Sequence, residues 1–362
     1  MEYIALKNIC KINMGQSPDS SSYNDNKDGI PFFQGNADFG EKYPVTRVWC
    51  NAPIKVAQPN DILISVRAPI GALNFAKEEC CIGRGLAALT PDRSKVSLEF
   101  IYWVLKCKKA ELNSKGTGST FKAISRKVLE ETLVPAIDFE KQYEYAEILG
   151  KTYSVIKKYK KELNCLDGLI KARFVEMFGD PIQNPKGWEV VTIGDIVTEV
   201  RYGTSKPAVE GGKYPYLRMN NLTADGHLDL NDLKYIDIPD DEIEKCVVRK
   251  GDVLFNRTNS IELVGKTAVF DLPEDMIIAG YIIRVRLTEK MLPEVLSQYM
   301  NLEALKGILR GMAKGAVNQA NINAQELQSI KVYIPEMELQ KQFVKMKEQI
   351  YKSKVIKLKN ER

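Results

Sequence analysis

The chain has 362 residues, 44% hydrophobic and 27% charged. These are the proportions of a folded chain of roughly two domains, and they exclude a collagen, a disordered chain and a disulfide miniprotein. Its 52 Lys and Arg against 47 Asp and Glu leave a formal charge of +5, enough for local nucleic-acid patches but well short of a histone-like tail.

No apolar run approaches the roughly 18 residues of a membrane span. The start, MEYIALKNICKINMG, lacks the basic and apolar regions of a secretory signal. No membrane partner and a cytoplasmic location are therefore expected. The seven cysteines are irregularly spaced and include no C-x-x-C pair, which fits reduced, mostly buried thiols rather than a zinc ribbon. The single histidine, His227, lies in the polar run ADGHLDLND and reads as a loop residue. No metal site is expected.

In chain order, Asp61–Val66 is an apolar run opened by a turn residue and reads as a strand. Ser97–Leu112 has helical periodicity, Ile124–Leu129 reads as a short helical turn, and Thr132–Pro135 as a strand. From Glu140 to Phe178 there is no proline. Leu149, Ile156, Leu163, Ile170 and Met177 repeat every seven residues there, a coiled-coil seam on a helix of roughly 58 Å. Gly179-Asp180-Pro181 stops it, and QNPKGW (183–188) reads as a linker.

The pattern then returns. Asp252–Asn256 reads as a strand, Pro293–Leu309 as a helix, Ile322–Leu327 as a helical turn and Ile330–Pro335 as a strand. A second long helix starts near Met337, with Leu339, Phe343, Met346 and Ile350 on one face. It runs for about 25 residues, nearly 40 Å. Local likenesses keep the same order: ALKNICKI with TIGDIVTE, NDILISVRAPIG with GDVLFNRTNSIELVG, and GLAALTPD with IIRVRLTE. GSTFKAISRKVLEETLVPAIDFEKQ then matches AVNQANINAQELQSIKVYIPEMELQKQ, and the offset drifts from roughly 185 to about 200 residues, as in two related domains with unequal loops. The helices fit simple packing of two halves or a ruler between two binding heads; periodicity alone leaves both open.

Enzyme signatures fail. Gly-Lys-Thr occurs at Gly150–Thr152 and Gly265–Thr267, but a P-loop needs a glycine where Tyr145 and Ser260 stand. No G-x-G-x-x-G and no Asn-Pro-Pro-aromatic run is present. Pro18-Asp19 with Asp25-Asn26-Lys27 could mimic a nuclease set, but these residues share one turn-forming loop with no strand to hold a cation.

Polar residues recur at equivalent loop positions of both halves. The first half offers Gln34 and Asn36, then Arg67 and Arg84, then Lys115, Thr117, Ser119 and Lys122. The second offers Arg218, Asn220 and Asn221, then Arg257 and Asn259, then Lys314, Asn318 and Gln319. Arg reads guanine and Asn or Gln reads adenine, while Lys, Ser, Thr and backbone amides hold phosphates. These residues are the candidate DNA contacts.

Two diverged α/β heads, each followed by a long helix, resemble the specificity subunit of type I restriction-modification systems. NDILISVRAPIG with GDVLFNRTNS, KGTGSTFKAIS with KGAVNQANIN, and the junction LIKARFVEMFGDPIQNPKGW carry the resemblance. It implies a mixed α/β fold with two tandem target recognition domains, bridged by antiparallel coiled-coil helices in a pseudo-twofold internal repeat. The segments would be 1–137 (first recognition domain), 138–180 (central helix), 181–336 (second recognition domain) and 337–362 (C-terminal helix, shortened).

The resemblance further implies a non-catalytic subunit. Each head would read half of a bipartite site on double-stranded DNA, and the helices would set the spacer. Two modification (methyltransferase) subunits and the restriction (translocase/nuclease) subunits would be partners, and S-adenosylmethionine, ATP and Mg2+ would belong to them. Because the C-terminal helix is short and no helix is predicted before the first head, the paired rod is expected to be incomplete. The alternatives are a standalone nuclease or methyltransferase with an unrecognised site, and a coiled-coil protein scaffold.

Overall fold

A computed structural model describes residues 2–118, 122–316 and 319–359, with backbone alone for 314–316, 319 and 355–359. The chain forms two compact units, Met1–Lys158 and Tyr159–Arg362. Among the described residues no helix is long and apolar enough to cross a membrane.

In the first unit an antiparallel sheet has the order Cys10–Met14, Leu86–Pro91, Ile62–Ser65, Leu73–Phe75. The run ILIS, apolar up to Ser65, is buried at every residue, as an inner strand covered on both faces must be. Ile62, Ile64 and Leu89 pack with Phe100, Ile101, Leu105 and Leu129 into the main core. A second, five-stranded sheet contains one parallel pair, Ile30–Phe33 with Cys80–Ile82. Tyr3–Ala5 pairs with Leu133–Pro135 and closes the unit.

The second unit repeats this plan. Its first sheet has the order Val197–Tyr202, Ile282–Leu287, Val253–Asn256, Thr267–Val269. Its second sheet carries the parallel pair Tyr214–Leu217 with Met276–Ile278, and Glu189–Thr192 pairs with Lys331–Ile334.

Both helices expected as single pieces are broken. Ser97 caps the first, accepting from Phe100 N at 3.0 Å, but the helix ends at Cys107 and a second covers Lys109–Ser114. In the second unit Pro293–Met300 and Glu303–Met312 are separated at Leu302, whose ψ of 143° is extended. There the Asn301 side-chain amide, at the end of the first piece, donates to the carbonyls of Thr267 (2.5 Å), in the neighbouring strand Thr267–Val269, and of Ser297 (3.0 Å).

The long helix spans Phe139–Phe178 and the last helix Met337–Lys359. A buried glutamine anchors the start of each: Gln142 Oε1 accepts from Ser97 N at 2.8 Å, and Gln340 Oε1 from Leu292 N at 2.9 Å. Gly179 ends the long helix with φ of 89°, the left-handed stop that glycine takes without strain. The junction is then tied down by three donors. Trp188 Nε1 reaches Phe178 O (2.8 Å), Tyr333 OH reaches Gly179 O (3.0 Å), and Tyr299 OH reaches Pro181 O (2.8 Å).

Within the second unit the last helix packs antiparallel on the end of the long one. Phe343 meets Phe174 and Phe178 edge-on at 5.3 and 5.4 Å, while further along Lys354 pairs with Asp167. Ile170 and Phe343 are fully buried in this core, with Met346 and Ile350 partly buried against it. Leu163 is half-buried, whereas Leu149 and Ile156 are exposed.

Candidate nucleic-acid interface

In the second unit three chain-distant loops meet above the strand ends. The first follows Val197–Tyr202. Thr204 N donates to Ile278 O (2.9 Å) and Gly280 N to Thr204 O (2.8 Å). A side chain at Gly203 would place its Cβ 2.1 Å from Ile278 O, so only glycine allows this approach. Lys206 is paired with Glu242 at 2.8 Å.

The second loop follows Tyr214–Leu217. Arg218 N donates to Asn221 Oδ1, and Asn221 Nδ2 to Asp229 O, both at 2.8 Å. Asn221 is buried and serves as the cap of the turn, while Asn220 stands exposed at its tip. The Arg218 guanidinium is held by the carbonyl and carboxylate of Asp232, each at 2.8 Å. From below, the Lys266 ammonium donates to the carbonyls of Met219 (2.7 Å) and Leu222 (2.5 Å), and burial pulls its pKa down.

The third element is the chain after Val253–Asn256. Arg257 lays its guanidinium 4.9 Å from the Tyr202 ring centroid. Asn259 donates to Asn256 Oδ1 at 2.8 Å and accepts from Ser260 N at 2.9 Å, so its amide is engaged in the local turn. The three loops enclose a cleft of about 520 Å3 that contains Arg218, Asn220 and Arg257 with Thr204, Tyr216 and Tyr281. Tyr216 is buried in its wall, its hydroxyl on Lys206 O at 3.0 Å, and burial pushes the phenol up.

The first unit builds the same loops with other side chains. Gln16 N donates to Ile82 O at 3.0 Å, and a Cβ at Gly15 would lie 2.2 Å from Gly83 O. Ser17 Oγ donates to Gln34 Oε1 (3.0 Å) and accepts from Arg84 N (3.2 Å), which joins Gln34 and Arg84 around one hydroxyl. Asp38 caps the turn from Gln34 N at 2.8 Å, the part Asn221 plays in the second unit, and Asn36 is half-buried. Arg67 and Thr117 both bridge to Ala123, and Lys122 O accepts from Ala68 N at 3.0 Å. Arg67, Thr117 and Lys122 thus form a second exposed group. Lys115 is paired with Glu111 at 2.6 Å.

Strand register changes one equivalence. Arg67 stands opposite Ala123 and Thr258 opposite Asn321, while Ile124 N bonds Val66 O and Ile322 N bonds Arg257 O. Arg67 therefore matches Thr258, and Arg257 matches Val66. A one-residue shift moves a side chain to the other face of a strand, so the two arginines are not copies of one contact. Ser119 and Asn318 lie outside the described residues. Lys314 and Gln319 fall in the strands Lys314–Ala316 and Gln319–Asn321, with their side chains undescribed.

Sequence reasoning passed over Ser17, Tyr202, Thr204, Ser205 and Tyr281. A usable signal was present: Gly15-Gln16-Ser17-Pro18 and Gly203-Thr204-Ser205-Lys206-Pro207 are one motif in both halves. His227 is more than a loop residue. It is half-buried, edge-on to Tyr351 at 4.9 Å, and burial lowers its pKa. Asp167, Asp225 and His227 bring possible ligand atoms within 4.8 Å of one another, with the Lys354 ammonium bonded to Asp167 as countercharge.

The MjaX type I restriction enzyme specificity subunit of Methanocaldococcus jannaschii is 44% identical over 152 residues, 42% of this chain and 36% of that protein. The EcoKI specificity subunit of Escherichia coli is 25% identical over 201 residues, 54% of this chain and 43% of that protein. The chain thus spans less than half the length of these two relatives. The crystal structure of a type I restriction-modification system S subunit from M. genitalium shares the fold, with a TM-score of 0.55 at 15% identity over 99% of this chain and 91% of that one. The family model of the type I restriction modification DNA specificity domain matches twice, over residues 1–165 and again over 185–362. The chain, with two tandem mixed α/β domains of this kind, belongs to the type I restriction-modification DNA specificity family.

Proposed function

We propose that this chain is the DNA-reading specificity subunit of a type I restriction-modification complex. Residues 1–137 and 181–336 are the two recognition domains, and each reads one half of a bipartite site on double-stranded DNA. The helices at 138–180 and 337–362 pair as an antiparallel coiled coil in a pseudo-twofold repeat and set the spacer. Two modification subunits and the restriction subunits assemble on the chain in the cytoplasm. S-adenosylmethionine, ATP and Mg2+ are carried by those partners, and the chain itself is not a catalyst.

The observation that carries this reading is the second-unit cleft. Arg218, Asn220 and Arg257 come from two loops far apart in sequence and converge on one opening lined by tyrosines. Arg and Asn have the donors that base edges accept, and loops on a rigid sheet are where recognition residues sit. Ser17 and Gln34 give the first unit a different polar set at the matching loops, as two heads reading different half-sites require.

The test is single-molecule sequencing of methylated adenines in the host, with and without the gene. Loss of one gapped, bipartite methylation motif on deletion is the expected result; an unchanged methylome would overturn the reading. The purified chain alone should transfer no methyl group and cut no DNA.

A further inference from the structure

We propose that Arg257 reads a guanine in the half-site of the second unit, presenting a guanidinium set on Tyr202 to the O6 and N7 acceptors of that base. The proposal rests on the DNA-reading function above and adds the base and the side chain that selects it.

Three observations lead there. The first is isolation from carboxylates. In the second unit Arg173, Arg201, Arg218, Arg249, Arg284, Arg286 and Arg310 each pair with an acidic side chain. Arg257 is the one arginine among the unit's described residues with no ion pair, and its buried Nε has no hydrogen-bond partner. The two terminal nitrogens, with four of the five donors of the fork, make no hydrogen bond among the described residues and are left for an acceptor that the protein does not supply.

The second observation is rigidity. Arg257 N donates to Tyr281 O at 3.0 Å, and Arg257 O accepts from Ile322 N at 2.9 Å, so the backbone is clamped on both sides. The Tyr202 ring that supports the guanidinium is itself fixed, its hydroxyl accepting from Ala324 N at 2.8 Å. A cation over an aromatic face is held without using its N–H groups, and a held side chain loses little freedom on binding.

The third is direction. Arg257 lines the same cleft as Asn220, Tyr216 and Tyr281. A planar fork matches two neighbouring acceptors in one plane, and among base edges in the major groove guanine O6 and N7 supply that pair. Arg218 also reaches the cleft, but Asp232 already holds its guanidinium, which suits a positioning part.

The test uses the full chain assembled with its modification subunits. Adenine methylomes are recorded for the wild type, Arg257→Gln and Arg257→Lys. The expected result is a change at a single guanine position of one half-site in both variants, with the other half-site and the spacer unchanged. That retained half-site also reports a folded chain. Wild-type complex is then titrated with duplexes carrying 7-deazaguanine at that position, and binding should fall about ten- to a hundredfold. If Arg257 instead touches phosphate, both variants keep the motif and weaken evenly across sequences, and 7-deazaguanine weakens the wild type and Arg257→Lys by the same factor at every position of the half-site. That result overturns the assignment while leaving the DNA-reading function intact. A wild-type methylome with no bipartite motif overturns both. Arg257→Lys keeps the charge but not the fork, so 7-deazaguanine at that position should weaken the wild type and leave Arg257→Lys unchanged, which decides the matter even where Arg257→Gln fails to fold.

Discussion

The ammonium of Lys266 sits 2.7 Å from the carbonyl oxygen of Met219. Lys266 belongs to the Gly-Lys-Thr run that imitates a phosphate loop in the sequence. In the fold its side chain is buried and turned inward, holding the turn that displays Asn220.

Lys266→Met should therefore free that turn. The carbonyls of Met219 and Leu222 lose their donor, which costs about 1–3 kcal/mol when the groups stay buried. Denaturant unfolding should show the loss. In the assembled complex, recognition should degrade in one half-site only.

Phe343 is fully buried between Phe174 and Phe178. Phe343→Ala should destabilise the second unit by about 3–5 kcal/mol, the usual cost of emptying an aromatic core site. Thermal unfolding of the full chain should then split, with the first unit's transition unmoved.

Lys306 supplies a pH dependence. Burial lowers its amine to about 7, while the unfolded chain keeps the ordinary lysine value near 10.4. Between these values the unfolded state binds more protons, so this group's contribution to stability rises with pH through that window. Its cost is full below pH 7 and gone above about 10.4. Lys306→Met loses the hydrogen bonds to the Gly265 carbonyl and Asn301 Oδ1, but its stability relative to the wild type should be greater at pH 7 than at pH 9. Paired urea titrations at the two pH values measure it.

Inserting seven residues near Leu163 keeps the apolar seam in phase and lengthens the helix by roughly 10 Å. If the helices set the spacer, the methylation motif should gain spacer bases or assembly should fail. An unchanged spacer with full activity would refute the ruler.

Much of the scaffold was legible because it is written in local apolar patterns. The run at 61–66 contains the strand Ile62–Ser65, and the helix Phe139–Phe178 covers the whole proline-free stretch from Glu140 to Phe178. A buried strand needs a continuous apolar run and a long helix a periodic one, so their positions follow from neighbours in sequence. The helix breaks at Lys108 and Leu302 were not legible: nothing in the local pattern tells of the Asn301 amide reaching Thr267 O across the fold.

Which polar side chains face the cleft was decided by tertiary structure alone. Asn220 and Asn221 are neighbours of identical chemistry, yet Asn221 is used up as a buried cap and Asn220 is presented. Arg218 and Arg257 are alike in sequence terms, yet Asp232 engages the one and Tyr202 supports the other. Arg67 and Arg257 look equivalent along the chain, and strand register sets them one residue apart. The sequence by itself determined two α/β domains, their inner strands and their helices, because burial of apolar periods is a local property. The folded loops chose the readers, because the partners that engage or free a side chain lie beyond its immediate neighbours, as Asp232 does for Arg218 and Tyr202 for Arg257.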